Sequence, residues 1–403
     1  MVVGFLATTV PAFAADKEKV LHTFGSADGD APYRGNLIFD QAGNLYGTTT
    51  FGGVDGQGTV FKLTPDFNGM WSETVLYSFC ARGYPCADGA EPYGGLVFDV
   101  AGNLYGTTYV GGTQTRGTAF ELMPGKDGKW TETVLHSFGY GGGFDALDPQ
   151  AGLAIDSTGN LYGTTPIGGT NWYECGAGSC GTLFQLKRGQ NGQWTETVLH
   201  NFNDDGNDGF WPYGSLTLDT SGNLYGTTFS GGVSDAGTVF ELTPGTNGQW
   251  TETILHSFDV SDGYNPVSNV IFDSAGNLYG TAKEGSELCH PPPRGCGAVF
   301  ELIPGTNGKW TEKVLRSFYR GRFPLGGVIF DSAGNLYGTT EVGGRYKSGD
   351  CYEGGCGGTA FELSPGIDGK WTETTLHSFG KSGDGFTPTG SLIFDATGTE
   401  FRL

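Results

Sequence analysis

The hexapeptide Gly-Asn-Leu-Tyr-Gly-Thr begins at Gly43, Gly102, Gly159, Gly222, Gly276 and Gly334. Successive copies are 59, 57, 63, 54 and 58 residues apart. A repeat of this length is one supersecondary unit that cannot bury its apolar face alone, so neighbours must stack. The repeat therefore overrides the two or three domains that 403 residues suggest on length.

Each period holds four short apolar segments. In one copy these are Gly95–Asp99, Leu104–Thr108, Gly117–Leu122 and Trp130–Phe138. They are β-branched and aromatic, bounded by Gly, Pro and Asn, which makes them strands. Between the first two, an Asp followed four positions later by Gly-Asn is an Asx-turn and bulge arrangement. Between the third and fourth, Asn-Gly at Asn191, Asn247 and Asn307 is expected to supply the two positive φ angles of a type I′ turn. The unit is a four-stranded antiparallel meander.

Four-stranded units in such an array make an all-β β-propeller. The first strand occurs seven times, ending with Ser391–Asp395. The fourth also occurs seven times, because Lys19–Phe24 is a lone copy. Seven blades are therefore expected, the ring closing through an N-terminal fourth strand and a C-terminal first strand. After Asp395 the chain runs Ala-Thr-Gly-Thr-Glu-Phe-Arg-Leu instead of a full second strand. The closing blade is thus expected to be incomplete at the C-terminus, within one propeller domain spanning 15–403. An open solenoid is the structural alternative.

The motifs FDxxGNLYGTT, GTVFEL and WTETVLHSF resemble the GloVer tandem repeat of exported bacterial "choice-of-anchor" proteins. The resemblance covers nearly the whole chain and implies a secreted or surface-attached repeat protein whose anchor varies. It brings no catalytic residues. The first turn also resembles, more weakly, that of NHL-type and gluconolactonase-like propellers.

Residues 1–14 read as a signal peptide. Val2–Val10 is a short apolar core and Ala12-Phe13-Ala14 a cleavage site, although the basic start of such a leader is missing. A buried N-terminal strand is the structural alternative. Eight cysteines form four local pairs, expected as disulfides: Cys80/Cys86, Cys175/Cys180, Cys289/Cys296 and Cys351/Cys356. Their spacings do not suit a zinc knuckle, the rival use of His290 beside Cys289. The expected location is extracellular or at the cell surface.

With 43 Asp and Glu against 22 Lys and Arg, the net charge is −21. That argues against nucleic acid and anionic membrane surfaces as partners, and no run is long and apolar enough to insert. An extracellular glycan or a protein is the expected partner.

Six copies in one chain are an internal control on function. The tryptophans opening each fourth strand and the aspartates ending each first strand recur in every full repeat, so they serve the blade. His22, His136, His200, His256 and His377 share a position held elsewhere by Tyr77 and Arg316. That alternation argues against catalysis or metal binding there. No nucleophile elbow, zinc-binding helix or phosphate loop is present. The loops between second and third strands, and between fourth and first, lie on one face, vary between blades and carry every cysteine pair. Recognition is expected there. The non-repeated candidates are Trp172, Tyr173, Glu174, Trp211, Tyr213, Arg294, Arg320, Arg322, Tyr346 and Tyr352. No cofactor is called for. A loose Ca²⁺ site at Asp28–Asp30 or Asp204–Gly209 is the one metal that the acidic loops suggest, and neither loop has an EF-hand's closing Glu. The overall expectation is a binding module. A lyase or hydrolase near the central channel and a purely structural adhesion repeat are the alternatives.

Overall fold

The computed structural model describes residues 2–6, 18–139, 145–171, 174–175, 178–285, 296–318, 322–345, 357–381, 384–395 and 400–402, with backbone alone at 2–6, 18 and 400–402. No helix occurs among them. Six blades of four antiparallel strands follow one another along the chain. Blade one is Ile38–Phe39, Leu45–Thr49, Thr59–Pro65 and Trp71–Ser78. Blades two to six repeat it, with second strands at Leu104–Thr108, Leu161–Thr165, Leu224–Thr228, Leu278–Ala282 and Leu336–Thr340. A further four-stranded sheet joins the termini. In it Glu18–His22 pairs with Val2–Leu6, which pairs with Glu400–Arg402, which pairs with Ile393–Phe394. The sequence leaves this sheet without a third strand, and here Val2–Leu6 occupies that place.

The repeated hexapeptide folds as its chemistry requires. Asp40 Oδ1 accepts the backbone N–H groups of Ala42 and Asn44, both at 2.9 Å, and Oδ2 accepts Asn44 Nδ2 at 2.6 Å and Tyr46 OH at 3.0 Å. Burial alone pushes the Asp40 carboxyl up, but these donors outweigh it and hold the group below its ordinary range. Asp99, Asp156, Asp273 and Asp331 repeat the balance. The Asp ring is a set of turn caps, as its position implies.

The turn between third and fourth strands is not type I′. Only the glycine is left-handed, as at Gly192 (φ 81°) and Gly248 (φ 79°). Asn191, Asn247 and Asn307 instead accept the backbone N–H two residues on, at 3.1, 3.1 and 3.3 Å. Pro244 pairs with Trp250, so the connection is five residues long. A five-residue loop is built around a right-handed turn and needs just one positive φ.

Gly47 is small because a Cβ there would lie 2.7 Å from Phe61 Cζ and 2.8 Å from Leu37 Cδ2. That phenylalanine and its equivalents are fully buried at the blade interfaces. Each meets edge to face the phenylalanine ending the preceding fourth strand: Phe79 with Phe120 at 5.1 Å and Phe202 with Phe240 at 5.3 Å. Phe24 of the terminal sheet meets Phe61 in the same way at 4.8 Å. Each such pair adds about 0.5–1.5 kcal/mol beyond its buried area. The tryptophans are interface residues too, Trp130 lying on Tyr46 at 6.2 Å and Trp250 on Tyr162 at 6.0 Å.

The two threonines after the hexapeptide's glycine have separate tasks. The first bonds to the next blade: Thr48 donates to the Gly94 carbonyl at 3.1 Å and Thr227 to that of Ser268 at 2.8 Å. The second bonds to the threonine opening the third strand, as Thr228 does to Thr238 at 2.8 Å. In blade five both members are alanine, Ala282 facing Ala298. The joint loss follows from burial, since one hydroxyl without its partner would be an unsatisfied polar group. Restoring threonine at both positions is expected to stabilise the protein by about 1 kcal/mol, and either alone to destabilise it, as thermal unfolding would report.

Candidate functional site at the channel mouth

The segments leading into the first strands lie side by side. Thr107 reaches the Ala151 carbonyl, Thr164 that of Gly214, Thr281 that of Gly326 and Thr339 that of Gly390. The last segment returns to the first, where Ser391 N–H donates to Asn36 Oδ1 at 3.0 Å and Arg34 N–H to Thr389 Oγ1 at 3.3 Å. These segments surround the axis, and the residue after the proline in each is Tyr33, Tyr93, Gln150, Tyr213, Val267, Leu325 or Thr389. The backbone is repeated here and the side chains are not.

On the side of blades one, two and four the mouth is aromatic. Tyr33 meets Tyr93 at 5.9 Å and Tyr93 meets Tyr109 at 5.2 Å, while Tyr213 meets Phe229 at 5.6 Å. The Arg34 guanidinium carbon sits 5.3 Å from the Tyr33 ring centre and 5.9 Å from that of Tyr213. Tyr33 and Tyr213 belong to blades one and four, which are not neighbours, so Arg34 reaches across the axis. Tyr109 comes from a loop between second and third strands, which joins the two kinds of variable loop at one place.

Electrostatics keeps the phenols of Tyr93, Tyr109 and Tyr213 neutral. Burial raises Tyr93, and Glu91, Tyr109 and Tyr33 raise it further against the pull of Arg34. Burial raises Tyr109, helped by Asp148 and Glu91 and opposed by Arg116. Tyr213 is raised mainly by burial, with Arg34 pulling it down. Glu91 is raised by burial alone. Asp148, paired to Arg116 at 2.9 Å, is pushed by burial to about 6 despite that arginine. The mouth therefore offers protonated hydroxyls as donors on sugar-sized aromatic faces.

The residues singled out from sequence are placed unevenly. Tyr213 is at the mouth. Trp211, left-handed at φ 58°, packs against the cluster holding Cys175 and Cys180 and donates its Nε1–H to the Ser179 carbonyl at 3.3 Å. It braces a disulfide loop. Arg322 is committed to Glu373 at 2.5 Å and to Thr359 at 2.8 Å. Glu174 is exposed beside Cys175. Trp172, Tyr173, Arg294, Arg320, Tyr346 and Tyr352 lie outside the described residues, as do Cys289, Cys351 and Cys356. Cys80–Cys86 and Cys175–Cys180 are disulfides, and Cys296 is disulfide-bonded. Replacing Cys175 and Cys180 by serine is expected to cost roughly 2 kcal/mol, read as a lower Tm. A cavity of about 290 Å³ lies beneath Tyr33, where the segment entering blade one meets the segment around Thr389, with Thr48, Phe61, Phe379 and Phe386 in its walls.

The repeated histidines sit in charge clusters between blades. His200 Nε2 lies 3.0 Å from Asp208 Oδ2 and 3.5 Å from Glu252 Oε2 on the next blade. His22 with Asp28 and Glu73, and His136 with Asp145 and Glu196, repeat the grouping, and each trio could converge on a metal ion. The other interfaces decide against metal as the common purpose. Where the histidine is Tyr77, Arg82 bonds to Glu132 at 3.1 Å, and where it is Arg316, that arginine and Arg322 hold Glu373. Each of these glutamates faces a cation or a protonatable imidazole, so charge compensation is the shared requirement. Asp28 and Asp208, from the two acidic loops, are spent on histidine and backbone contacts.

The model of the Gloeobacter/Verrucomicrobia repeat matches residues 9–175 and 171–401. The chain belongs to the Gloeobacter/Verrucomicrobia repeat family. None of the curated proteins compared matches it. Among solved structures, this repeat-family propeller is similar to a polysaccharide lyase, the ulvan lyase PL25, with a TM-score of 0.52 at 11% identity, over 88% of this chain and 86% of that one. A luciferin-regenerating enzyme matches with a TM-score of 0.41 at 14% identity, over 90% of this chain and 96% of that one. An exo-1,5-α-L-arabinanase from a bovine ruminal metagenomic library gives 0.36 at 12%, over 72% and 100%. At these identities the first likeness concerns the fold, and the other two are too distant to carry an argument.

Proposed function

We propose that this protein is an extracellular binding module for a glycan, which it holds at the channel mouth on its disulfide-bearing loop face. The observation that carries this reading is the Tyr33–Tyr93–Tyr109 arc facing Tyr213. Non-repeated aromatic rings on a repeated backbone give stacking faces for pyranose rings, and the neutral hydroxyls of Tyr93, Tyr109 and Tyr213 give donors. The disulfides favour an oxidising location. The contact of Ser391 with Asn36, and of Phe24 with Phe61, supports a ring of seven blades closed by the terminal sheet.

The Val2–Leu6 segment serves either as the core of a leader cleaved after Ala14 or as a strand of that sheet in the mature chain. N-terminal sequencing of the exported protein separates the two uses: a start at Ala15 supports the leader, and retention of Val2–Leu6 supports the strand.

A glycan-array screen of the oxidised protein tests the binding function, with a Tyr213→Ala variant as control. Hits that the variant loses at unchanged Tm are expected. No hit across neutral and acidic glycans would remove this reading and favour a protein partner or a purely structural adhesion role.

A second reading, a polysaccharide lyase, is suggested by the ulvan lyase's likeness in fold and by tyrosines beside arginine. It requires a base for the proton next to a uronate carboxylate. The upward shift of the tyrosines weighs against them in that role and leaves Glu91 as the better-placed base. Ultraviolet absorbance of an unsaturated product would support this alternative, and its absence on every bound glycan would exclude it.

A further inference from the structure

We infer that the mouth selects glycans bearing an anionic substituent, a carboxylate or a sulfate ester, which Arg34 grips; this rests on the glycan-binding reading above. The seven segments that enter the first strands provide the comparison. Six have four residues between proline and the first strand's leading apolar residue, counting that residue, as in Pro92-Tyr-Gly-Gly-Leu96 and Pro212-Tyr-Gly-Ser-Leu216. Blade one has five, Pro32-Tyr-Arg-Gly-Asn-Leu37. The flanking backbone keeps the common pattern on both sides. Thr50 N–H donates to the Ala31 carbonyl as Phe229 does to that of Trp211, and Gly35 still meets Gly94 as its counterparts meet theirs. The extra residue is Arg34. It is accommodated in the left-handed region at φ 57°, a conformation that costs a non-glycine residue about 1 kcal/mol or more.

That strained insertion delivers a guanidinium to the axis and leaves it without an acid among the described residues. Arg34 Nε is buried and has no hydrogen-bond partner among the described residues. The other half-buried arginines, Arg116, Arg316 and Arg322, each hold a carboxylate. In a chain of net charge −21, Arg34 is the exception among the half-buried arginines described: it finds aromatic faces and no carboxylate among the described residues. Stacking on Tyr33 and Tyr213 fixes the plane of the fork and leaves its edge as the donor surface. An anion that presents two oxygens side by side, as a carboxylate or a sulfate ester does, is the complement of that edge. The surrounding negative charge repels polyanions at long range, so recognition must be local. Affinity should then hold or rise as salt screens the repulsion, opposite to diffuse polyanion binding.

The test is isothermal titration of the full oxidised chain with oligogalacturonate, its methyl ester, a sulfated glucan and the unsulfated glucan, at two salt concentrations. Wild type is expected to bind the acidic member of at least one pair at least about tenfold more tightly than the neutral one. Arg34→Gln, which keeps the backbone and its bond to Thr389, should abolish that preference with Tm unchanged, and a deletion of Arg34, which returns blade one to the common length, should abolish it in a chain that still folds. Arg34→Lys should restore part of it. Dependence on Arg34 for the uronate pair identifies a carboxylate ligand, and for the sulfated pair a sulfate ester; both support the inference. Equal binding of neutral and acidic glycans, a preference that survives Arg34→Gln, or affinity that falls with salt overturns it and leaves glycan binding standing. Failure of every glycan to bind removes the underlying reading as well.

Discussion

Phe240→Ala is expected to destabilise the protein by about 3–5 kcal/mol, among the largest effects of any single substitution in blade four. Phe240 is fully buried, lies against Phe202 of the preceding blade, and fills the space that Gly226 leaves open. The glycine explains the direction of the complementary change. A Cβ at position 226 would lie 2.6 Å from Phe240 Cζ, so Gly226→Ala should cost about 1–3 kcal/mol through overpacking. Combining Gly226→Ala with Phe240→Leu should cost less than the sum of the single changes, because the shorter side chain makes room for the methyl group. Thermal unfolding of the four proteins reads this coupling. Strict additivity would mean that the repeated glycine is kept for its backbone rather than for the phenylalanine.

The second large effect depends on pH. Glu132 is 1% exposed in its side chain and sits between blades against Arg82. Burial raises its carboxyl to about 7; Arg82 and Tyr77 pull it down and Asp88 pushes it up. Arg82→Ala removes the compensating charge and should cost roughly 3 kcal/mol at about pH 9, at the low end for a broken buried pair because Arg82 itself is half exposed. At about pH 5 the cost should nearly vanish, because the folded variant can then keep Glu132 protonated. The sign follows from the proton count. A carboxyl raised in the folded state binds more protons there than in the unfolded chain, so stability is full at low pH and is lost as pH rises through the folded value. Burial also raises Glu73 and Glu312 to about 7, Asp28 adding to the first and Asp262 to the second, so the unmodified protein should lose stability as pH rises from about 5 to just above 7. The turn aspartates act oppositely at the acid end. Their lowered carboxyls stabilise the fold above about pH 4 and fail below it. A stability maximum in weakly acidic solution is the combined expectation, measurable as Tm against pH.

Much of this architecture was legible because the chain repeats itself. The short strands, the Asp caps, the interface tryptophans and the face carrying the variable loops follow from residue type and spacing within one period. The Asn-Gly dipeptide suits a five-residue loop as well as a type I′ turn, and only hydrogen-bond register distinguishes the two. The charge clusters were hidden for a different reason. His200, Asp208 and Glu252 come from a strand, a loop of variable length and the next blade, and no local pattern joins them. The site is less legible because the hexapeptide draws attention to long, non-repeated loops, where Trp211 and Arg322 are committed to structure. Its signal lies at the proline before each first strand, where Tyr33, Tyr93 and Tyr213 change around the ring and Arg34 is the one extra residue.

The central claim is that ligand is held on the axis by that ring, and the most direct measurement is titration of a glycan that binds wild type into a Tyr93→Ala/Tyr213→Ala double variant. The two rings lie on different blades and take little part in blade packing, so Tm should be unchanged while affinity falls at least about tenfold, as for loss of two stacking faces. Wild-type affinity in the double variant would contradict the account and move the binding site from the channel mouth to the outer loops.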